Sequence, residues 1–250
     1  MSKADWLYGM HAVLAVLESA PERVLELKIQ SSRQDEKILR LQDLSAQFGV
    51  AVGAATKQQL DDLTQGGNHQ GVAARCRLAQ PQTEHELMAL VQQKKQGLFL
   101  LILDSVTDPH NLGACLRCAD AAGVDAVVTT KDKASGLTPV VRKVAVGAAE
   151  VVPFIQVTNL ARTLKQLQDE GVWIVGAALD ETAVSLYDAD LKGNLAIVMG
   201  AEGSGLRRLT KEACDSLVYI PMCGRVDSLN VSVAAGVCLF EANRQRVSTC

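Results

Sequence analysis

Aromatic residues are scarce in this chain of 250 residues: two Trp, three Tyr and four Phe, 4% of the total. That scarcity argues against a sheet that reads RNA by stacking bases on aromatic rings. Neither sign of charge dominates. With 25 basic and 28 acidic residues the formal net charge is −3, so a global field gives no support to non-specific nucleic-acid binding, and any attraction must come from local basic patches. No apolar run approaches the length of a membrane span. The segment Met1-Ser2-Lys3-Ala4-Asp5-Trp6 lacks both an apolar signal core and an Arg/Ser-rich transit pattern. A cytoplasmic protein without membrane attachment is expected. The four histidines (11, 69, 85 and 110) show no metal-ligand spacing, and no metal is expected. Seven cysteines, odd in number and scattered, fit a reducing compartment. Cys115-x-x-Cys118 has no second close pair, and we read it as two small buried helix residues.

What the chain does have is apolar residues, 48% of the total, enough for a sizeable core in one large or two modest domains. Residues 1–78 read as a small α/β unit, with helices over 8–19 and 38–48 and strands over 24–29 and 71–76. Residues 79–97 are polar and proline-broken, and are read as a linker with a short helix at 86–92. Residues 98–250 alternate strands (98–103, 126–129, 151–155, 172–177, 195–199, 217–220) with helices (111–122, 138–147, 158–170, 206–213, 229–246). Those strands are continuous apolar runs, the signature of a parallel sheet covered on both faces. The fold class is therefore α/β.

Three segments carry polar residues at or just beyond strand carboxyl ends, where open α/β sheets bind ligands. The first, Asp104 to Arg117, offers Asn111 as a helix N-cap and places Arg117 in a helix of otherwise small residues. The second is Gly200-Ala201-Glu202-Gly203-Ser204-Gly205, a glycine turn with one carboxylate. It lacks the third glycine of the dinucleotide fingerprint and any phosphate-loop ending, which disfavours a nicotinamide oxidoreductase. The third runs from Ile220 through Gly224 to a helix opening at Leu229, with Ser228 as its cap and Asn230 in its first turn. Taken singly, each admits a plain structural role: a surface arginine, a solvated loop carboxylate, a helix cap.

Taken together, the three segments resemble the SpoU, or TrmH-type, family of RNA ribose 2′-O-methyltransferases. The matching residues are Asn111-Leu112-Gly113-Ala114 with Arg117, then Met199-Gly200-Ala201-Glu202-Gly203 with Gly205, then Ile220-Pro221-Met222 with Ser228-Leu229-Asn230-Val231-Ser232. Tyr8-Gly9-Met10-His11-Ala12-Val13 and His69-Gln70-Gly71-Val72-Ala73-Ala74 resemble the family's substrate-binding domain, and favour the branch that acts on a guanosine in the peptidyl-transferase region of 23S rRNA. The resemblance implies a deep trefoil knot in the C-terminal domain, which ordinary connection rules would not suggest, and a homodimer. It also implies S-adenosylmethionine as cofactor, held by backbone contacts at Gly200, Ile220 and Leu229. A side chain at Gly200 is expected to obstruct that cofactor more than it disturbs the fold. By the same resemblance Arg117 lies next to the reacting 2′-hydroxyl, with Asn111, Glu202, Asn230 and Ser228 completing the catalytic set. Whether Arg117 acts as a base or as a charge stabiliser stays open, because a guanidinium gives up its proton only above about pH 12. Candidate RNA-attracting charges are Arg207, Arg208 and Lys211, Arg142 and Lys143, and Arg33, Lys37 and Arg40. Two alternatives stand beside this reading: a sibling acting on tRNA, and a non-catalytic RNA-binding ribosome-assembly factor.

Overall fold

The computed structural model describes residues 4–247. The chain divides into two compact units. One extends to Gln80 and takes in Val146–Val151; the other holds Pro81–Ala145 and the described residues from Val152 onward.

The first unit opens with β1 (Ala4–Tyr8), α1 (Met10–Ser19), β2 (Val24–Gln30), α2 (Glu36–Phe48), β3 (Ala51–Ala55), α3 (Lys57–Leu63) and β4 (Val72–Arg77). Its sheet has the order β1-β4-β2-β3, with β4 antiparallel to both neighbours and β3 parallel to β2. The pleat sorts β4 by period two. Val72, Ala74 and Cys76 join Val13, Leu17, Ile38 and Leu41 of α1 and α2, whereas Ala73 packs with Leu60 of α3. Asp35 caps α2 by accepting the Ile38 amide at 3.2 Å, and Gly49 closes it in the left-handed conformation at φ 69°. Elements β1, β3 and α3 lie outside the expected set. Helix α1 also starts later than expected, because Gly9 at φ 94° turns the chain between β1 and the helix.

The second unit begins within the segment expected as a linker. There α4 (Glu84–Gln93) follows Thr83, whose amide is accepted by the Glu86 carboxylate at 2.7 Å. Leu87 and Val91 of α4 are buried in this unit's core. Next come β5 (Phe99–Asp104), α5 (Pro109–Ala121), β6 (Ala126–Thr130) and α6 (Pro139–Ala145), and then α7 (Ala148–Val151), which belongs to the first unit. The second unit resumes with β7 (Phe154–Val157), α8 (Leu160–Asp169), β8 (Trp173–Ala177), β9 (Val184–Ser185), β10 (Leu195–Gly200), α9 (Arg208–Glu212), β11 (Ser216–Tyr219) and α10 (Val231–Val247). The sheet order is β7-β6-β5-β10-β8-β11-β9, and every pairing is parallel. Leu100 and Ile102 of β5 join Leu160, Leu164 and Leu167 of α8 in one core layer. The alternate residues Leu101 and Leu103 point the other way, and α5 and α10, which pack on each other, contact β6 and β10.

Within the first unit, Glu150 on α7 is 4% exposed and forms an ion pair with Arg23 at 2.5 Å. Arg23 also donates to the carbonyls of Glu150 and Arg77, and the Ala79 amide donates to the Glu150 carboxylate at 2.7 Å. A buried carboxylate needs such a set of donors to offset its desolvation.

Candidate active site

Because the sheet is parallel, β5, β10 and β11 all end at one edge, and the three polar segments emerge there. Gly200 at the end of β10 sits opposite Asp104 at the end of β5. The turn after β10 then folds back on itself: the Gly205 amide donates to the Ala201 carbonyl at 2.9 Å and the Ser204 amide to the Glu202 carbonyl at 2.9 Å. A Cβ at Gly200 would overlap the carbonyl group of Gly205. Glycine is thus required by the turn's own backbone, and the expectation that a side chain there would chiefly obstruct a cofactor is corrected: it would first break the turn.

Asp104 anchors the far end of this turn. Its carboxylate is fully buried and accepts the Arg207 amide at 2.9 Å, the Arg207 Nε–H at 2.6 Å and the Ser105 hydroxyl at 3.1 Å. Sequence reasoning gave Asp104 no role, since its partner lies 103 residues away. It also counted Arg207 among charges available to RNA. Arg207 is instead committed to Asp104, Arg208 to Glu212 and Lys211 to Asp180.

Asn230 is the centre of the site. It stands one residue before α10, and its Oδ1 accepts the Ser232 amide at 2.9 Å and the Ser232 hydroxyl at 2.6 Å. Asn230 is therefore the helix cap, and the expected cap Ser228 is an exposed loop residue that donates to Asp227 at 3.3 Å. The Asn230 Nδ2 donates to Asn111 Oδ1 at 2.8 Å and to Glu202 Oε1. Glu202 Oε1 also accepts the Val231 amide at 3.3 Å, where the positive end of the helix dipole favours a carboxylate. Two donors and two acceptors are thus satisfied on one amide, which fixes its orientation. The network ties the turn after β10, the start of α10 and the start of α5 together.

Asn111 reaches this network from inside α5. The helix begins at Pro109, and Asp108 caps it by accepting the His110 amide at 3.0 Å, so Asn111 is no cap but a buried first-turn residue. Gly113 serves packing: a Cβ there would meet Val144 Cβ at 2.7 Å and the Val141 carbonyl at 2.8 Å, so its absence lets α5 and α6 approach closely. Arg117 is exposed and makes no hydrogen bond or ion pair with the described residues. Cys115 is fully buried, and burial pushes its thiol up to about 12; burial also raises the half-buried Cys118 thiol. High thiol pKa values suit packing, not metal ligation or redox exchange. Among the described residues no cluster of three or more metal-binding side chains is found, and no helix is long and apolar enough to cross a membrane.

From Ile220 to Leu229 the backbone makes no backbone–backbone hydrogen bond among the described residues. Open space lies beside Gly203, Gly205 and Gly224. Free amides and carbonyls beside glycines at a sheet's carboxyl edge suit a small polar ligand held by main-chain contacts.

The pattern of the SpoU rRNA methylase family matches residues 98–240, and that of RNA 2′-O ribose methyltransferase substrate binding matches residues 6–82. The chain belongs to the SpoU rRNA methylase family. A relative from Shewanella oneidensis (strain MR-1), the 23S rRNA (guanosine-2′-O-)-methyltransferase RlmB, is 56% identical over 99% of this chain and 100% of its own length. The AdoMet-bound rRNA methyltransferase from Sinorhizobium meliloti shares the fold, with a TM-score of 0.71 and 23% identity over 96% of this chain and 87% of that one. The TrmH/SpoU tRNA modifying enzyme of A. aeolicus covers only 66% of this chain and 85% of its own, at 27% identity and a TM-score of 0.57. The α/β class and the parallel sheet expected from sequence agree with these structures.

Proposed function

We propose that this SpoU-family chain is an RNA (guanosine-2′-O-)-methyltransferase that modifies a guanosine ribose in the peptidyl-transferase region of 23S rRNA, with S-adenosylmethionine as methyl donor. The observation that carries the reading is the hydrogen-bonded set Glu202, Asn230 and Asn111, which joins the family's three polar segments at one edge of a parallel sheet. Similarity over nearly the whole chain to a relative named for 23S rRNA supports the rRNA branch. The tRNA enzyme, which covers two thirds of the chain, offers less support for that alternative.

The cofactor supplies an activated methyl group on a sulfonium. Gly200, Ile220 and Leu229 would hold it by main-chain contacts, and the unengaged backbone of 220–229 fits that task. Arg117 would face the 2′-oxygen and its neighbouring phosphate. Its exposed guanidinium, without a partner among the described residues, supports a role in orienting the phosphate and stabilising the developing alkoxide. Glu202 and Asn230 would fix the loops around it, Asn111 would support them from α5, and Ser228 would contribute from the loop that faces solvent.

Residues 1–78 would bind RNA and residues 98–250 would carry the catalysis, with a trefoil knot as the family resemblance implies. A homodimer is supported by α10. Its Val233, Phe240 and Val247 are 52%, 50% and 66% exposed and recur every seven residues, an apolar stripe of the kind a second subunit covers. Such an enzyme would work in the cytoplasm, where ribosomes are assembled. Mapping 2′-O-methyl groups on 23S rRNA from cells with and without the protein tests the assignment. Loss of one guanosine methylation is the expected result; an unchanged rRNA map with a lost tRNA methylation would favour the sibling activity.

A further inference from the structure

The first unit carries two adjoining concavities that the catalytic reading leaves unused. The larger, about 580 Å³, lies between α2 and the strands β2 and β3, and is lined by Gln30, Arg33, Gln34, Leu39, Gln42 and Val52 among others. The smaller, about 360 Å³, is lined by Met10, His11, Arg33, Lys37 and Gln70. Arg33 borders both, and neither lining contains a carboxylate.

The two differ in chemistry. In the larger, Leu39 and Val52 are apolar yet 56% and 43% exposed. The side-chain amides of Gln34 and Gln42 make no hydrogen bond with the described residues, and Gln30 has donated only its Nε2, to Ser32 at 2.9 Å. Neutral amides around an apolar wall suit a flat molecule with hydrogen-bonding edges. In the smaller, Lys37 and His11 make no hydrogen bond or ion pair with the described residues, whereas Arg33 is held by Asp35 and the Gln70 carbonyl. Arg33, held by these partners, stands at the border between the neutral groove and the one lined by Lys37. Arg40, also considered for RNA, is paired with Glu18.

We infer that this double groove receives one unpaired nucleotide of the RNA substrate. The base lies against Leu39, Val52 and Arg33 and is read by Gln30, Gln34 and Gln42; its phosphate lies at Lys37 and His11. The inference rests on the RNA-modifying function proposed above. Glutamine side chains hydrogen-bond base edges, and sequence-specific proteins take splayed, unpaired RNA bases in such pockets, with guanidinium planes standing in for aromatic rings. The larger volume is in the range of pockets that hold small organic ligands, about 300–1,000 Å³. A duplex is disfavoured because A-form RNA is recognised by contacts spread across its wide minor groove, whereas Lys37 is the one lysine in the two linings and Arg33 is already paired.

The test uses the full-length chain, short single-stranded and duplex RNA probes and a 23S rRNA fragment. Binding is read by fluorescence anisotropy without cofactor. Wild type should bind the single strand in preference to the duplex. Replacing both Gln34→Ala and Gln42→Ala should weaken single-strand and fragment binding by about tenfold or more, raise the KM for the fragment, and leave kcat, cofactor affinity and the thermal midpoint unchanged. Lys37→Ala should lower the slope of log affinity against log salt by about 0.7. Preference for the duplex, or wild-type RNA affinity in both variants, overturns the groove. A wild-type protein that methylates no rRNA fragment would defeat the proposed function instead, and the anisotropy comparison would still decide the groove.

Discussion

The Asn230→Asp substitution isolates the network at the centre of the site. Aspartate keeps the oxygen that accepts the Ser232 amide and hydroxyl, and it is as good a helix cap as asparagine, so α10 should start where it does now. What changes is the other side of the group. The Nδ2 donor that serves Asn111 and Glu202 becomes an anionic oxygen facing two acceptors, one of them a carboxylate. Two lost hydrogen bonds are worth about 1–3 kcal/mol, and the new repulsion adds about 1 kcal/mol at the water-exposed face of the site. A total of about 2–4 kcal/mol, if it falls wholly on the transition state, lowers kcat/KM by about 30- to 1,000-fold. The pH dependence has a definite sign. Two facing carboxylates raise each other's pKa, so protonation at lower pH removes the repulsion and restores one donor. The variant-to-wild-type activity ratio should therefore climb as pH falls from 8 toward 5. The assay is transfer of labelled methyl to an rRNA fragment, with thermal unfolding followed in parallel. Wild-type activity across the whole pH range would refute the reasoning, because it would show that the joined loops do not depend on this amide.

Other outcomes follow from the same geometry. Arg117→Ala and Arg117→Lys should each retain the fold and lose at least a hundredfold in methyl transfer, since a point charge cannot copy the planar fork; turnover near wild type in either would remove Arg117 from the site. Gly200→Val should lower the melting temperature and cofactor affinity together, as the overlap with Gly205 requires, and a loss of affinity without loss of stability, by calorimetry, would contradict that. Arg23→Ala withdraws the guanidinium from buried Glu150 and should cost about 3–5 kcal/mol in denaturant unfolding; a cost below 1 kcal/mol would show that the pair adds little. Among the described cysteines, exposed Cys223 should be alkylated first at pH 8 and be protected by S-adenosylmethionine, whereas buried Cys115 and Cys238, whose thiols are pushed up to about 12, should resist; equal labelling by mass spectrometry would contradict the burial.

Hydrophobic patterning made most of the second unit legible. Strands β5, β6, β8 and β10 are unbroken apolar runs because both faces of a parallel sheet are covered, and their observed ends differ from the expected ones by a residue or so. The elements that escaped notice lack that signal. Strand β3 is Ala51-Val52-Gly53-Ala54-Ala55, small residues on a sheet edge, and β9 has only two residues. Composition also misled at 79–97. Polar residues there cover the solvent side of α4, while Leu87 and Val91, four apart on one helix face, bury themselves in the second unit. A fragment cut at Lys94 would lose that face, and would lose Arg23 from beside Glu150.

The site residues were legible as types before they were legible as a site. Asp108-Pro109 is the local signal that Asn111 lies inside a helix, since aspartate favours the cap and proline the first helical position. Reading Asn111 as the cap passed over it. Asn230 had no comparable local signal favouring it over Ser228, because both are good caps and the choice is made by Glu202 and Asn111, which lie 28 and 119 residues away. Only the parallel register, which sets Gly200 beside Asp104, brings these distant segments to one edge. Family resemblance could therefore name the polar residues, but the order of the strands decides which of them touch: Asn230 touches Asn111 and Glu202, while Arg117 has no partner among the described residues. The exposed Arg117, on the same helix as Asn111, is available to an anion from outside the described residues, and in the function proposed above the phosphate next to the ribose hydroxyl would be that anion.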